Sequence, residues 1–189
     1  MPPAPKGSGA VEQFLARHKA AKSKWDEVAS LGDELYEFCA PLRERPYSAK
    51  GSASSKRTDR LFDSTAVNAL ADFASQRVED VWPIDQKPID LLPGRDVKPS
   101  EAEDVKRGLS DIATEAIETV NNSNFRAAAN EACLDYGMLT GVLLVDEGDS
   151  LEPLQHRALP ISEAILWCGP YGARDGLSRC RKVKAHHIK

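Results

Sequence analysis

The sequence has no long apolar segment and no apolar stretch near its start. Its longest nearly apolar run, Gly137 to Val145, is interrupted by Thr140 and is far shorter than the roughly 20 residues that a helix needs to cross a bilayer. The opening residues, MPPAPKGSGA, lack the apolar centre of a secretory signal. We therefore expect no membrane partner.

The motifs of several large enzyme classes are also absent. The sequence contains no G-x-x-x-x-G-K-[ST], no G-x-G-x-x-G, no G-x-S-x-G and no H-E-x-x-H. These patterns place backbone amides around phosphates, expose a serine nucleophile, or set two histidines on one helix face around zinc. Their absence argues against an ATPase, a dinucleotide enzyme, an α/β-hydrolase and a zinc peptidase, and we expect no cofactor.

Charge and cysteine content are those of an ordinary folded protein. The formal net charge is −4, with 29% charged and 41% hydrophobic residues, so no basic surplus attracts nucleic acid non-specifically. The four cysteines, Cys39, Cys133, Cys168 and Cys180, form no C-x-x-C pair. Reduced thiols in an intracellular compartment are the expectation.

The first two thirds of the chain have a helical pattern. Residues 1–10 are predicted to be a disordered tail and residues 11–138 a helical region. Apolar residues three and four apart from Val11 to Phe38 predict one long helix, with a bend at Gly32 and an end at Pro41. A helix of this length extends beyond any small core that it could cover, so we expect it to pack across a larger structure.

A segment rich in serine, glycine, lysine and arginine follows, at 43–60. It has no apolar period, which predicts a mobile basic loop. A solvated loop is one interpretation, and contact with DNA phosphates or with a capsid shell is another. The residues for such contacts are Lys50, Lys56, Arg57 and Arg60.

Three further helices are predicted before residue 139. Asp63 and Ser64 suit the start of an alanine-rich helix that ends at Trp82-Pro83, and its apolar face includes Ala66, Ala71 and Val81. The S-x-x-E pattern at 100–103 predicts the next start, and the asparagines at 121–124 a break. A last helix from Phe125 is predicted to end at Gly137.

From residue 139 onward the apolar period changes to two. Strands are predicted at 141–147, 151–159, 164–168 and 177–185, joined by turns at 147–150 and 169–176. The fold class is therefore α+β, with long helices followed by antiparallel hairpins in 139–189.

Three groups of residues have the chemistry of a site: the carboxylates Asp146, Glu147 and Asp149, the metal-ligand types Cys168, Cys180, His186 and His187, and the acid–base types Asp135, Tyr136 and His156. The first suits Mg²⁺ in a nuclease and the second Zn²⁺. Turn chemistry explains the first group equally well, the cysteine spacing is poor for zinc, and nothing in the sequence brings the third group together. We expect no catalytic or metal-binding residues.

The order of several short motifs resembles a known family. The motifs are LFDSTA at 61–66, NSNF at 122–125, the run at 137–145, RALP at 157–160, and a glycine-rich turn before a basic strand at 179–184. Over about 11–188 this order is similar to the N-terminal region of the head-to-tail connecting (portal) proteins of T7-like short-tailed bacteriophages.

The resemblance implies a structural protein of the virion, assembled in the host cytoplasm, and not an enzyme. Members of the family form a dodecameric ring at one capsid vertex, through which double-stranded DNA is packaged and ejected. The implied partners are further copies of the chain, the major capsid protein, the scaffolding protein, the terminase large subunit, tail and adaptor proteins, and DNA. Family members are longer, so we expect this chain to be the wing region, ending before the stem and clip.

Large aromatic residues are the candidate anchors of such a wing, because they dominate both cores and interfaces energetically. They are Trp25, Trp82, Phe125 and Trp167. Packing within one subunit and contact with a neighbour both remain open for each of them. The alternative to the portal interpretation is a cellular helical adaptor that binds other proteins.

Overall fold

A computed structural model describes residues 8–43, 62–98, 101–168 and 174–180, without the side chains of Ser8, Ala10, Arg174 and Asp175. The helices are α1 (Ser8–Glu27), α2 (Ala29–Cys39), α3 (Thr65–Val81), α4 (Ala102–Asn122) and α5 (Phe125–Met138). The strands are β1 (Val142–Glu147), β2 (Leu154–Leu159), β3 (Ala164–Cys168) and β4 (Arg174–Arg179). This order confirms the predicted α+β class. None of the helices in these ranges is both long and apolar enough to span a bilayer.

The long N-terminal helix is interrupted at Val28, so the prediction of one helix bent at Gly32 is wrong. The amide of Val28 donates to the carbonyl of Trp25 at 3.1 Å, a tighter turn than the α-helical one. Gly32 lies inside α2 and is buried. The irregularity therefore lies four residues earlier than the sequence predicts.

Gly137 does not end its helix, because α5 continues to Met138. A Cβ atom added at Gly137 would lie 2.7 Å from Leu70 Cδ1 and 3.0 Å from Phe73 Cδ1 of α3. This glycine is therefore required by the close approach of α3 and α5, and its role is packing.

Two other predicted boundaries shift. Glu101 directly precedes α4 and makes no side-chain capping bond there, and α4 runs through both asparagines of 121–122 and is followed by Ser123. Strand β4 begins at Arg174, inside the predicted loop 169–176. Strand β3 has its predicted bounds.

The four strands form two separate antiparallel hairpins. In the first, Val142 pairs with Leu159 and Glu147 with Leu154; in the second, Ala164 pairs with Arg179. A two-stranded sheet is marginal in water by itself. Each hairpin is packed on a helix, β1–β2 on α5 and β3–β4 on α1, and this cover stabilises it.

The core of the described residues is thin and rich in alanine. Half of the buried apolar residues are alanines, and Leu159 is the one large side chain with less than 2% exposure. On α3 the buried stripe is Leu70, Ala74 and Val78. Ala66, Ala71 and Val81, which the sequence placed on the buried face, are exposed, so that part of the prediction is wrong. Small residues let the helices approach closely, but they bury little apolar area.

One buried carboxylate links α2 to α5. The hydroxyl of Tyr36 donates to Asp135 Oδ1 at 2.6 Å, and Arg43 Nη1 donates to the same oxygen at 2.8 Å. Arg43 also pairs with Glu131, at 2.6 Å. Burial raises the pKa of Asp135 above its ordinary value, while the Tyr36 bond and the charge of Arg43 act in the opposite direction.

Replacing Tyr36 with phenylalanine should lower the free energy of unfolding by about 1–3 kcal/mol, because Asp135 stays buried and loses one donor. Tyr136→Phe is the matched control, since Tyr136 is 55% exposed, and it should change stability by less than about 0.5 kcal/mol. Chemical denaturation measures both. Equal effects of the two variants would contradict the role given to the Tyr36 hydroxyl.

The raised pKa of Asp135 predicts how the stability of the protein depends on pH. In the window above the ordinary value of 3.8, the folded state holds this proton more tightly than the unfolded state, so stability falls as pH rises through the folded pKa. The stability of the wild type relative to Asp135→Asn should therefore decrease as pH rises from about 4 and then level off. Urea unfolding at a series of pH values measures this relative stability. If it rises with pH, Tyr36 and Arg43 lower the pKa of Asp135 by more than burial raises it.

Candidate assembly surface

Trp82 and Phe125 lie together where α3, α4, α5 and β2 meet. The indole Nε1 of Trp82 donates to Asn121 Oδ1 at 2.8 Å. The Trp82 and Phe125 ring centroids are 5.6 Å apart, and Phe125 meets the ring of His156 edge-on at 5.2 Å. Buried Trp82 therefore connects the end of α3 to the last turn of α4 and, through Phe125, to β2.

Asn124 holds the outer edge of β2. Its side-chain Nδ2 donates to the His156 carbonyl, and its Oδ1 accepts from the His156 amide, both at 2.8 Å. These two bonds imitate the pairing that another strand would provide. The backbone amide and carbonyl of His156 are thus both satisfied by the residue before α5, on the side of β2 that faces away from β1.

A charged pair fixes the chain after α3. Glu79 Oε1 accepts from the amide of Ile84 at 2.7 Å, and its Oε2 meets Arg126 Nη1 at 3.2 Å. Arg126 Nη2 also donates to the carbonyl of Trp82 at 2.8 Å. The bond from Ile84 is the main cause of the lowered pKa of Glu79. The end of α3 at Trp82-Pro83 is therefore held against α5 through Arg126.

Trp25 and Trp167 attach α1 to the second hairpin. The Nε1 of Trp25 donates to the carbonyl of Leu166 at 3.2 Å, and Trp25 packs against the core cluster around Tyr36. Trp167 meets the ring of Phe14 edge-on, with centroids 5.5 Å apart. Its indole lies over Gly176 so closely that a Cβ there would overlap it.

All four predicted anchors, Trp25, Trp82, Phe125 and Trp167, make contacts within the subunit, and their roles as anchors stay predictions. Contact of these residues with a second subunit stays a prediction. Lys50, Lys56, Arg57 and Arg60, the predicted phosphate or capsid contacts, lie outside the described residues.

Of the metal-ligand group, His186 and His187 lie outside the described residues. The carboxylates Asp146 and Asp149 have other partners in the part of the chain that the structure describes. Asp146 pairs with Arg157 at 3.8 Å. Asp149 Oδ1 accepts from the amides of Leu151 and Glu152 at 2.9 and 2.8 Å, and these bonds lower its pKa. Its role is that of a turn residue, as the sequence suggested.

The acid–base group is also separated. Asp135 bonds to Tyr36 and Arg43, whereas His156 lies beside Ser123 and Phe125. Across the described ranges, no three histidine, cysteine or acidic side chains converge in a way that could hold a metal ion.

A groove lies between the second half of α4 and the turn before β2. It encloses about 230 Å³ and is lined in part by Glu115, Glu118 and Glu152, with Leu151 at its side. Its three carboxylates make it unsuited to phosphate groups, because like charges repel. We therefore do not place a DNA contact in this groove.

Large apolar side chains are exposed on α1 and α2. Val11, Leu15 and Leu31 are 61%, 55% and 51% exposed, although the helical period placed them on an inward face. Other large apolar residues are also exposed outside these two helices: Leu42, Phe62, Ile84, Leu92, Ile112, Val145 and Leu151. Such exposure is typical of surfaces that are covered in an assembly. The one sequence feature that anticipated it was the excess length of the N-terminal helical pattern.

A comparison with individual curated proteins gives no match. The family model described as "Bacteriophage head to tail connecting protein" matches residues 11–189. Because this match covers nearly the whole chain, and the α+β order of the structure agrees with the order of motifs that resembles this family, the chain belongs to the bacteriophage head to tail connecting protein family.

Proposed function

We propose that the chain is the wing part of a portal subunit that assembles into a closed ring, dodecameric as the resemblance implies, at one vertex of a phage capsid. The ring would pass double-stranded DNA during packaging and ejection. It would act as a structural component and leave ATP hydrolysis to a separate motor. The family match over 11–189 carries this proposal.

The exposed apolar residues of α1 and α2 support ring formation. Burying one Val or Leu side chain contributes about 1.5–3 kcal/mol, and Val11, Leu15 and Leu31 gain little of this in the isolated chain. A neighbouring subunit that covers them would supply that stabilisation. Rings form when one surface of a subunit binds a different surface of the next, so the covering surface lies elsewhere on the chain.

The proposal assigns the partners by family analogy. They are the major capsid protein and scaffolding protein around the ring, the terminase large subunit during packaging, and tail or adaptor proteins afterwards. The basic segment 43–60 is the candidate for contact with DNA or the capsid, through Lys50, Lys56, Arg57 and Arg60. Assembly in the host cytoplasm precedes incorporation into the virion.

The experiment is native mass spectrometry of the natural full-length polypeptide, as wild type and as a Leu15→Asp, Leu31→Asp double variant. The wild type should give a closed ring of many copies. The double variant should reduce the ring fraction at least tenfold, because two carboxylates would be buried without partners in the interface. Folding of the unassembled subunit should be unchanged by circular dichroism, since both side chains are exposed.

Gln13→Glu is the matched control, because it adds one negative charge at another exposed position of α1. It should assemble as the wild type does. A wild-type protein that remains monomeric or dimeric would contradict the ring and favour the adaptor alternative. A double variant that assembles normally would show that the interface lies elsewhere.

A further inference from the structure

Helix α4 is little buried by the rest of the subunit. It lies wholly within the described residues, and Ala113 is the one of its 21 residues that is buried. Ile112 is 56% exposed, and Leu151, beside the groove at the second half of α4, is 89% exposed. In proteins, most of the stability of a helix comes from packing of its apolar face. Part of the apolar surface of α4 is therefore available to another molecule.

A glycine makes this side of α4 open to close approach. Gly108 shares a face of the helix with Ile112, since the two are four residues apart. A glycine inside a helix costs stability relative to alanine, yet a Cβ atom added at Gly108 would meet no neighbouring atom within 4 Å. Packing within the described part of the chain therefore does not require this glycine. A second helix lying against α4 would require it, as α3 requires Gly137 in α5.

Negative charge flanks the same side of α4. The segment 111–122 contains Asp111, Glu115 and Glu118 and no lysine or arginine. Glu115 and Glu118 line the groove, and Glu152 lines it from the turn before β2. All four carboxylates are exposed. Because binding surfaces have complementary potentials, the molecule that covers this side should carry both apolar side chains and positive charge.

Helix α1 of a second copy of the chain has this combination. Intervals of four, four and three residues place one stripe along α1, formed by Val11, Leu15, Lys19 and Lys22. All four side chains are exposed. Lys22 pairs with Asp26 of its own helix at 2.9 Å, but exposed ion pairs contribute little. Lys22 can therefore exchange this partner for a carboxylate of another subunit.

The order of residues along the two helices also matches. In each helix the apolar positions come first and the charged positions follow toward the C-terminus. With a rise of 1.5 Å per residue, about 10 Å of helix separates Leu15 from Lys22, and about 9 Å separates Ile112 from Glu118. Two such helices lying side by side in the same direction bring apolar residues together and lysines to carboxylates.

We propose that α4 of one subunit binds α1 of the next copy of the chain. Val11 and Leu15 pack over Gly108 and Ile112, and the lysines of α1 face the acidic groove. This inference rests on the ring proposed above. It identifies the second surface, since a ring forms when one surface of each subunit binds a different surface of its neighbour.

Reversal of the two sets of charges tests the contact, by native mass spectrometry of the natural full-length polypeptide. One variant carries Lys19→Glu and Lys22→Glu, and the other carries Glu115→Lys and Glu118→Lys. Each variant alone should show at least a tenfold lower ring fraction, because like charges then meet at every contact. An equimolar mixture should restore rings that hold both variants in equal numbers, because alternating subunits pair reversed surfaces with reversed ones and native with native.

Two further pairs of variants separate this contact from general effects of charge and volume. Arg17→Glu with Lys24→Glu makes the same change of charge on another side of α1, and it should assemble as the wild type does. Gly108→Leu should lower the ring fraction at least tenfold, because the side chain fills the space for the second helix. Thr114→Leu, on another side of α4, should assemble normally.

Several outcomes would overturn the contact. Wild-type rings together with a mixture that forms none would overturn it and leave the proposed ring in place. Normal assembly of either charge variant alone, or of Gly108→Leu, would do the same. A wild-type protein that stays monomeric would contradict the ring and this contact together. Circular dichroism of each unassembled variant distinguishes loss of assembly from loss of folding.

Discussion

The close approach of α5 to its neighbours is the constraint on which the rest of the structure depends. Helix α5 contacts α2, α3, α4, β1 and β2. It can do so because its buried face is made of small residues, chiefly Ala128, Ala129 and Ala132, and because Gly137 leaves room for Leu70 and Phe73. Larger side chains here would separate the helices and move the first hairpin, since protein interiors tolerate little extra volume.

Close packing by small residues has a consequence for the surface. An alanine side chain buries much less apolar area than a leucine, so a core made largely of alanines contributes little hydrophobic stabilisation. The pair of buried Asp135 and half-buried Arg43 and the bonds of Asn124 to His156 fix the arrangement of the elements. Such polar contacts add modest net stability. Larger apolar residues meanwhile remain on the outside. A chain built this way is well suited to being stabilised by a neighbouring protein.

Local signals in the sequence predicted much of the fold. The start of α3 after Ser64, its end at Trp82, and the change from helical to alternating period after α5 are all in the structure. Each depends on residues close together in the chain, through the polar residues before a helix, a proline and apolar spacing. The class and the family followed from the order of these elements.

The features that fix the tertiary arrangement had no local signal. The side-chain contacts of Tyr36 with Asp135 and of His18 with Cys180 join residues that are 99 and 162 positions apart. Asn124 directly precedes α5 at its N-cap position, but its side chain makes no capping bond there and bonds to the backbone of His156 in β2. Val11, Leu15 and Leu31 follow the helical period of buried residues, yet no other part of the described chain covers them fully. Periodicity shows that a face is apolar, but it does not show whether the same subunit covers it.

The most direct test of the account is a cryo-electron microscopy structure of the connector purified from virions, at a resolution that places the side chains of α1 and α2. We predict a closed ring at the capsid vertex in which Val11, Leu15 and Leu31 are buried against the adjacent subunit. A ring in which these three side chains face solvent would contradict the interface. A vertex that lacks this chain would contradict the function.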